Sequence, residues 1–157
     1  MSAYTPIQKQ TTSGSLTIAT TAYTAGDQAG AQNTVSAIGA ASGQVLVNDI
    51  SLADASARIA AHELRFFSAS VTGAGDNNAV SFSDADNAKR QGPVIYASSI
   101  ITDSLNSSVD YAFKPFVATC DASGNLYFYC ILRAVPVSNF FSAVGDLIWT
   151  IGAFRIS

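Results

Sequence analysis

This chain has very few of the charged residues that usually form the exposed face of a helix. Among its 157 residues there are one glutamate and three lysines, against ten aspartates and eleven glycines. Glu and Lys normally fill helical surfaces, whereas Asp, Gly and Ser favour turns and Thr favours strands. The balance of residue types therefore predicts a protein that is mostly β-structure.

The spacing of apolar residues agrees with that prediction. Alternating or continuous apolar runs mark about eight strands, at residues 15–19, 32–38, 44–53, 60–68, 94–97, 109–119, 126–135 and 146–156. Residues 83–90 form the one helical turn, with Ser83 as its N-cap, two acidic residues in its first turn, two basic residues in its last and Gly92-Pro93 ending it. No β-α-β rhythm is present, so the sequence predicts an all-β antiparallel sandwich, jelly-roll-like by strand count.

Three local features refine this prediction. The polar residues Asn48, Asp49 and Ser51, after an apolar start, indicate a β-bulge or a change of phase in the alternation. Residues 121–125 are typical of a five-residue hairpin loop. The run Leu126–Leu132 is apolar on both faces, which predicts that both faces of this strand are covered.

The N-terminal residues 1–14 show neither a strand nor a helix period, and we interpret them as an arm outside a single domain of residues 15–157. Tyr4 and Ile7 are its apolar anchors, and Pro6 favours an extended chain before it. We expect the arm to bind a neighbouring subunit; a free tail is the alternative.

Composition and charge exclude several classes of protein. With 48% hydrophobic and only 12% charged residues, intrinsic disorder is excluded. No apolar stretch approaches the roughly 20 residues of a membrane span, and we expect no membrane partner. The net charge is −3 and the basic residues are scattered, so we expect no nucleic-acid partner. The start lacks the apolar region of a secretory signal, which favours synthesis in a reducing cytoplasm with Cys120 and Cys130 unbridged.

The residues that carry most enzyme chemistry are scarce. His62 is the only histidine and lies within a strand, and no G-x-S-x-G nucleophile motif is present. Asp76, Asp84 and Asp86 offer oxygen ligands, but without the spacing of a calcium loop. We therefore expect no enzyme, no catalytic residue, no cofactor and no metal ligand, and a calcium site near Asp76 and Asp84 remains the open alternative.

Several aromatic residues are candidates for contacts with a partner. Alternation places Tyr127 and Tyr129 on one strand face, opposite Leu126 and Phe128. With Tyr96, Tyr111 and Trp149 they would form a sugar-binding platform if exposed; packing in a second layer or a subunit contact are the alternatives. The interface residues that we expect are Tyr4, Ile7, Tyr127 and Tyr129.

A set of turn and cap residues resembles a family of small structural proteins of tailed bacteriophages. The matching positions, which cover about half of the chain, are Ala22, Tyr23, Gly26, Asp27, Phe66, Phe67, Asp76, Asn77, Ser83, Asp84, Ala85 and Asp86. The resemblance implies a virion protein of β-sandwich fold, a capsid cement or decoration protein that stabilises the phage head and is often trimeric.

Together the resemblance and the charge-poor composition lead to one expected function with alternatives. We expect a non-enzymatic virion structural protein, made in the host cytoplasm and located on the capsid surface. Its expected partners are the major capsid protein and itself, as a homotrimer. The alternatives are a phage tail, fibre or receptor-binding module, and a carbohydrate-binding β-sandwich.

Overall fold

The computed structural model describes residues 8–102, 106–135, 141 and 143–156. Within these residues it has nine strands and one short helix. The strands are β1 (Lys9–Ser15), β2 (Gln28–Val35), β3 (Gln44–Asp54), β4 (His62–Phe67), β5 (Arg90–Thr102), β6 (Ser107–Tyr111), β7 (Phe116–Thr119), β8 (Leu126–Leu132) and β9 (Leu147–Arg155), and the helix is α1 (Asp84–Asn87).

The strands form two antiparallel sheets that share β5. In the larger sheet β1 pairs with β9 and β9 with β3; β3 then pairs with β7 along its first half and with β6 along its second. The smaller sheet has the order β5-β4-β8-β2. The first half of β5 pairs with β4 and its second half with β6, so this long strand passes from one sheet to the other. The expected all-β sandwich is confirmed, with nine strands among the described residues in place of about eight.

The main core lies between the sheets and is built from alternate residues of the strands. Leu64 and Phe66 of β4, Phe128 of β8 and Trp149 of β9 are all buried in it. The opposite face of β4 and β8 carries a second, smaller core formed by Phe67, Val71, Tyr129 and Ile131, with Val80, Phe82 and Tyr127 packed against it. Both faces of β8 are therefore covered, as its continuous apolar run predicts.

Several boundaries differ from those expected. The arm does not extend to residue 14, because Lys9–Ser15 is β1 and pairs with β9 over its whole length. Leu16 and Ile18 are buried as expected, but they follow β1 instead of forming a strand of their own. The expected strand at residues 109–119 is interrupted and becomes β6 and β7, with Pro115 in the break.

The loop at residues 121–125 does not close a hairpin. It joins β7, which pairs with β3, to β8, which pairs with β2 and β4, so the chain crosses here from the larger sheet to the smaller one. Cys120 and Cys130 are unbridged and buried, as expected. Cys120 follows β7 in the larger sheet, and Cys130 lies on β8 in the smaller one.

The predicted bulge and the helix cap are confirmed. The register of β3 against β9 shifts between Val47 and Asp49. The Ser83 hydroxyl accepts a hydrogen bond from the Asp86 amide at 3.1 Å and so caps α1. The expected basic last turn is wrong, because the helix ends at Asn87 and β5 begins at Arg90. Gly92 lies within β5 at a φ of +65°, which favours glycine.

Candidate functional site

Two of the segments that carry the phage-protein resemblance, around Tyr23 and around Asp76, meet in the structure. The Tyr23 hydroxyl donates to Asp76 Oδ1 at 2.6 Å although the two residues are 53 positions apart. The Gly30 amide donates to the same oxygen at 2.5 Å. The Asn77 amide donates to the Gln28 carbonyl at 2.9 Å. The two separated motifs are thus joined into one cluster of turns.

This cluster supports the fold and presents no reactive group. The Asp27 carboxylate accepts from the Thr24 amide at 2.6 Å and from its hydroxyl at 3.0 Å, which closes the turn at Gly26. Tyr23 is buried, and burial together with its bond to Asp76 raises the pKa of its hydroxyl far above the ordinary value. Tyr23 therefore stays neutral and acts as a hydrogen-bond donor.

His62 is buried and both of its ring nitrogens are used. Nδ1 lies 2.8 Å from the Ala60 carbonyl, which can only accept, so this nitrogen carries the proton. Nε2 then accepts from the Tyr111 hydroxyl at 2.5 Å. Burial lowers the pKa of His62 and raises that of Tyr111 well above its ordinary value. The imidazole is a neutral structural group, held by the carbonyl of Ala60 just before β4 and by the hydroxyl of Tyr111 on β6.

Glu63 is 1% exposed and lies between two arginines. Its Oε1 lies 2.5 Å from an Arg65 terminal nitrogen and 2.6 Å from Arg65 Nε, and its Oε2 lies 3.3 Å from Arg133. The guanidinium groups also face aromatic rings, Arg65 over Phe82 and Arg133 over Tyr96, each 6.0 Å from the centroid. The pairs compensate the only glutamate, which would otherwise be a costly buried charge.

Asp54 is also fully buried, and its carboxylate organises the loop that follows β3. It accepts hydrogen bonds from the amides of Ser56 at 2.8 Å, Arg58 at 2.5 Å and Ile59 at 2.5 Å, and from the Ser56 hydroxyl at 2.6 Å. Among the residues that the structure describes, no three His, Cys, Asp or Glu side chains come together to hold a metal ion. Burial raises the pKa of the Cys130 thiol to about 12.

The expected interface residues have different positions. Tyr129 is buried inside its own domain, where its hydroxyl donates to the Val71 carbonyl at 2.8 Å and accepts from the Gly73 amide at 3.0 Å. Its ring packs within its own domain, and the expected contact with a partner stays a prediction. Tyr127 is half-buried and donates to Asp121 at 2.6 Å. Tyr4 and Ile7 lie outside the described residues.

The aromatic residues weighed for sugar binding do not form a platform. Trp149 is buried in the main core, Tyr111 is half-buried against His62, and Tyr129 lies in the second core. Tyr96 is exposed, with 54% of its surface accessible. Of the five rings considered for sugar binding, Tyr96 is the exposed one, and Tyr127 is half-buried like Tyr111.

Two apolar areas lie on the side of the larger sheet that faces away from the core, which we call the outer face. At one end of it the strand register places Ile148 of β9 beside Ala53 of β3, Ala53 beside Ser108 of β6, and Ser108 beside Ile101 of β5. Ile101 is 59% exposed and Ile148 is 46% exposed. These residues line a groove of about 290 Å³.

A second apolar area lies at the other end of the outer face. Leu46 of β3 pairs with Phe154 of β9 on one side and with Val117 of β7 on the other. Leu46, Phe154, Arg155 and Ile156 line a groove of about 360 Å³. Sequence reasoning missed the outer face because its apolar residues are single exposed positions on separate strands. Each of them is unremarkable alone.

The centre of the outer face carries small polar residues and one ion pair. Ser51 pairs with Thr150, and Thr150 with Ser13. Nearby, Lys9 Nζ lies 2.7 Å from Asp49 Oδ2. The pair passes over Gly152, where an added Cβ would lie 2.5 Å from the Lys9 side chain. The outer face is thus apolar at both ends and nearly neutral between them.

No protein-family model matches this chain, and no curated protein or solved structure matches it significantly. No helix among the described residues is both long enough and apolar enough to cross a membrane.

Proposed function

We propose that this protein is a non-enzymatic structural component of a bacteriophage virion, a decoration protein that binds the major capsid protein and stabilises the head. The observation that carries the proposal is the outer face of the larger sheet. It offers two apolar areas on a rigid antiparallel scaffold, separated by small polar side chains and a compensated ion pair. Such a surface fits a protein partner better than a charged ligand.

The ionisable groups support binding in preference to catalysis. His62, Glu63 and Asp54 are buried with partners inside the domain, and the cluster that carries the phage-protein resemblance closes turns. A catalytic acid or base needs to reach a substrate proton. These groups therefore bind partners inside the domain and contribute to the stability of the sandwich.

The expected energy of a single contact is small. Ile148 is about half exposed, so burying the rest of its side chain contributes about 1 kcal/mol. A protein that binds many equivalent sites on a capsid reinforces the lattice through the number of its contacts. Association into a closed trimer, which we include in the proposal, would multiply the contacts at one symmetry axis.

The location of the protein tests the proposal directly. Mass spectrometry of purified virions, followed by cryo-electron microscopy of the same particles, is expected to find the β-sandwich on the outer surface of the head. Density on the tail or a fibre would favour the tail-module alternative. Absence from purified virions would contradict both functions.

A variant pair tests the role of the outer face. Ile148→Lys places a charge in one apolar area, whereas Val135→Lys changes a residue of similar exposure, 47%, on the connection after β8. Re-binding to particles that lack the protein should weaken by about 2 kcal/mol, roughly 30-fold in Kd, for Ile148→Lys and little for Val135→Lys. Equal binding by the two variants would exclude the outer face as the capsid contact.

A further inference from the structure

Three strands of the sandwich pair with a single other strand in the part of the chain that is described: β1, β2 and β7. Such edges invite pairing with another chain, and proteins usually block them. Two of the three are blocked here. Gln28 at the start of β2 exchanges backbone hydrogen bonds with the loop at residues 77–78, and the register of β2 is broken between Ala29 and Asn33. β7 has only four residues, and its Thr119 amide donates to the Gln91 side chain.

Among the described residues, nothing of this kind protects the edge of β1. Its seven residues pair with β9 without a register shift, and they include no proline. Lys9, at the very start, is the only charged residue of the strand. The remaining side chains are Gln, Thr, Ser and Gly, which neither repel nor cover a neighbouring strand.

The hydrogen bonds to β9 show which backbone groups of β1 point outward. The Leu16 amide donates to the Leu147 carbonyl at 2.9 Å, and antiparallel pairs alternate along a strand. Gln10, Thr12 and Gly14 therefore face β9. The outward backbone groups are those of Lys9, Thr11, Ser13 and Ser15.

We propose that β1 pairs with β1 of a second copy, antiparallel and across a two-fold axis at Thr12. In this register Thr11 lies opposite Ser13 of the second copy, and Lys9 lies opposite Ser15. All four outward-facing residues then gain a hydrogen-bonding partner, and the two lysines lie at opposite ends of the contact. The larger sheet and its outer face continue from one copy into the next.

The sequence of β1 favours β1 of a second copy as the strand that pairs with this edge. The two-fold register places Thr12 opposite Thr12, so two β-branched side chains, which suit a strand, meet at the axis; the Thr12 hydroxyl itself donates to the Ser36 carbonyl at 3.4 Å. No like charges oppose each other, because Lys9 is the only charged residue. The contact is isologous, so it joins two copies, or two trimers if the proposed trimer forms. It does not depend on a role in the virion.

A symmetric cysteine tests the register. In a non-hydrogen-bonded antiparallel pair the Cα atoms lie about 4.5 Å apart, within the span of a disulfide. Thr12→Cys should therefore form a reducible disulfide dimer under mild oxidation. Ser15→Cys is the matched control on the same strand, because its two copies would lie roughly 20 Å apart. The native Cys120 and Cys130 are buried and do not compete.

Charge exchange at the axis tests the same contact without a covalent bond. Thr12→Lys and Thr12→Glu should each abolish pairing, because like charges would face each other. A mixture of the two variants should restore a pair, measured by native mass spectrometry. Thr12→Val keeps the β-branched shape and should pair like the natural chain. Thermal unfolding of each variant shows that the domain remains folded.

Three results would overturn this inference. The first is a Thr12→Cys dimer no more abundant than that of Ser15→Cys, in a folded protein. The second is failure of the Lys and Glu variants to pair on mixing. The third is pairing that appears only when residues 1–7 are removed, because these residues would then cover the edge. Each result is independent of whether the protein is found on virions.

Discussion

His62 makes the stability of this domain sensitive to mildly acidic pH. The imidazole is buried and neutral between the Ala60 carbonyl and the Tyr111 hydroxyl, and burial lowers its pKa in the folded state. In the unfolded chain the same group has an ordinary pKa of about 6.5. As the pH falls through this value, the unfolded state takes up a proton that the folded state does not.

The sign and size of the effect follow from proton linkage. Because the unfolded state binds more protons in this range, the free energy of unfolding rises with pH and falls on acidification. The limiting slope for one group is about 1.4 kcal/mol per pH unit. Between pH 7.5 and pH 5.5 the domain should lose up to about 1.4 kcal/mol, because the unfolded histidine becomes protonated mainly below pH 6.5.

Urea unfolding at a series of pH values measures this loss. Trp149 is the only tryptophan and is buried in the main core, so its fluorescence reports the transition. His62 is the only histidine, and carboxylates titrate mostly below this window. The control is His62→Gln, whose amide does not take up a proton. This variant should unfold with a nearly constant free energy from pH 7.5 to 5.5, whatever its absolute stability.

Two outcomes would refute the reasoning. The first is a free energy of unfolding of the natural chain that does not change between pH 7.5 and 5.5. That result would mean that the folded state binds the protonated imidazole as readily as the unfolded state does. An equal slope in His62→Gln would assign the pH dependence to another group.

Further predictions concern the turn cluster, the thiols and β5. Asp76→Ala removes the acceptor of two hydrogen bonds and should lower the free energy of unfolding by about 1–3 kcal/mol. The control is Asp84→Ala on the exposed helix, which should change the free energy of unfolding by less than about 1 kcal/mol. Urea titrations of the two variants measure the difference. Cys120 and Cys130 should resist alkylation in the folded protein and react together on unfolding, with no mass change on reduction, as followed by mass spectrometry. Gly92→Ala should lower the melting temperature, because the added Cβ would overlap the Phe116 ring and because residue 92 has a positive φ that favours glycine. Calorimetry measures the melting temperature, and an unchanged value would contradict this packing.

The class of fold and several local features follow from the sequence because they depend on neighbouring residues. Scarcity of Glu and Lys, with period-2 alternation, is sufficient to predict strands. The Ser83 cap of α1 requires only residues three positions apart. The continuous apolar run of β8 predicts a strand that is covered on both faces, and this prediction is confirmed.

The candidate site was much less predictable. Alternation correctly places Tyr127 and Tyr129 on one strand face, but the loop at residues 68–83 folds over that face and buries Tyr129. The outer face was not predicted at all. Its residues come from separate strands, and only pairing brings Ile101, Ala53 and Ile148 into one row.

Strand pairing is the part that only the tertiary structure decided. β7 and β8 are adjacent in the chain, and their short loop is typical of a hairpin, yet they belong to opposite sheets. β1 is the first strand and pairs with the last, and Tyr23 finds its acceptor 53 residues away. Composition and alternation act within a strand, so they determine that a segment is extended and which face is apolar. Which strands a segment pairs with depends on the whole chain, because all strand edges must find hydrogen-bonding partners and all apolar faces must be buried in the same fold.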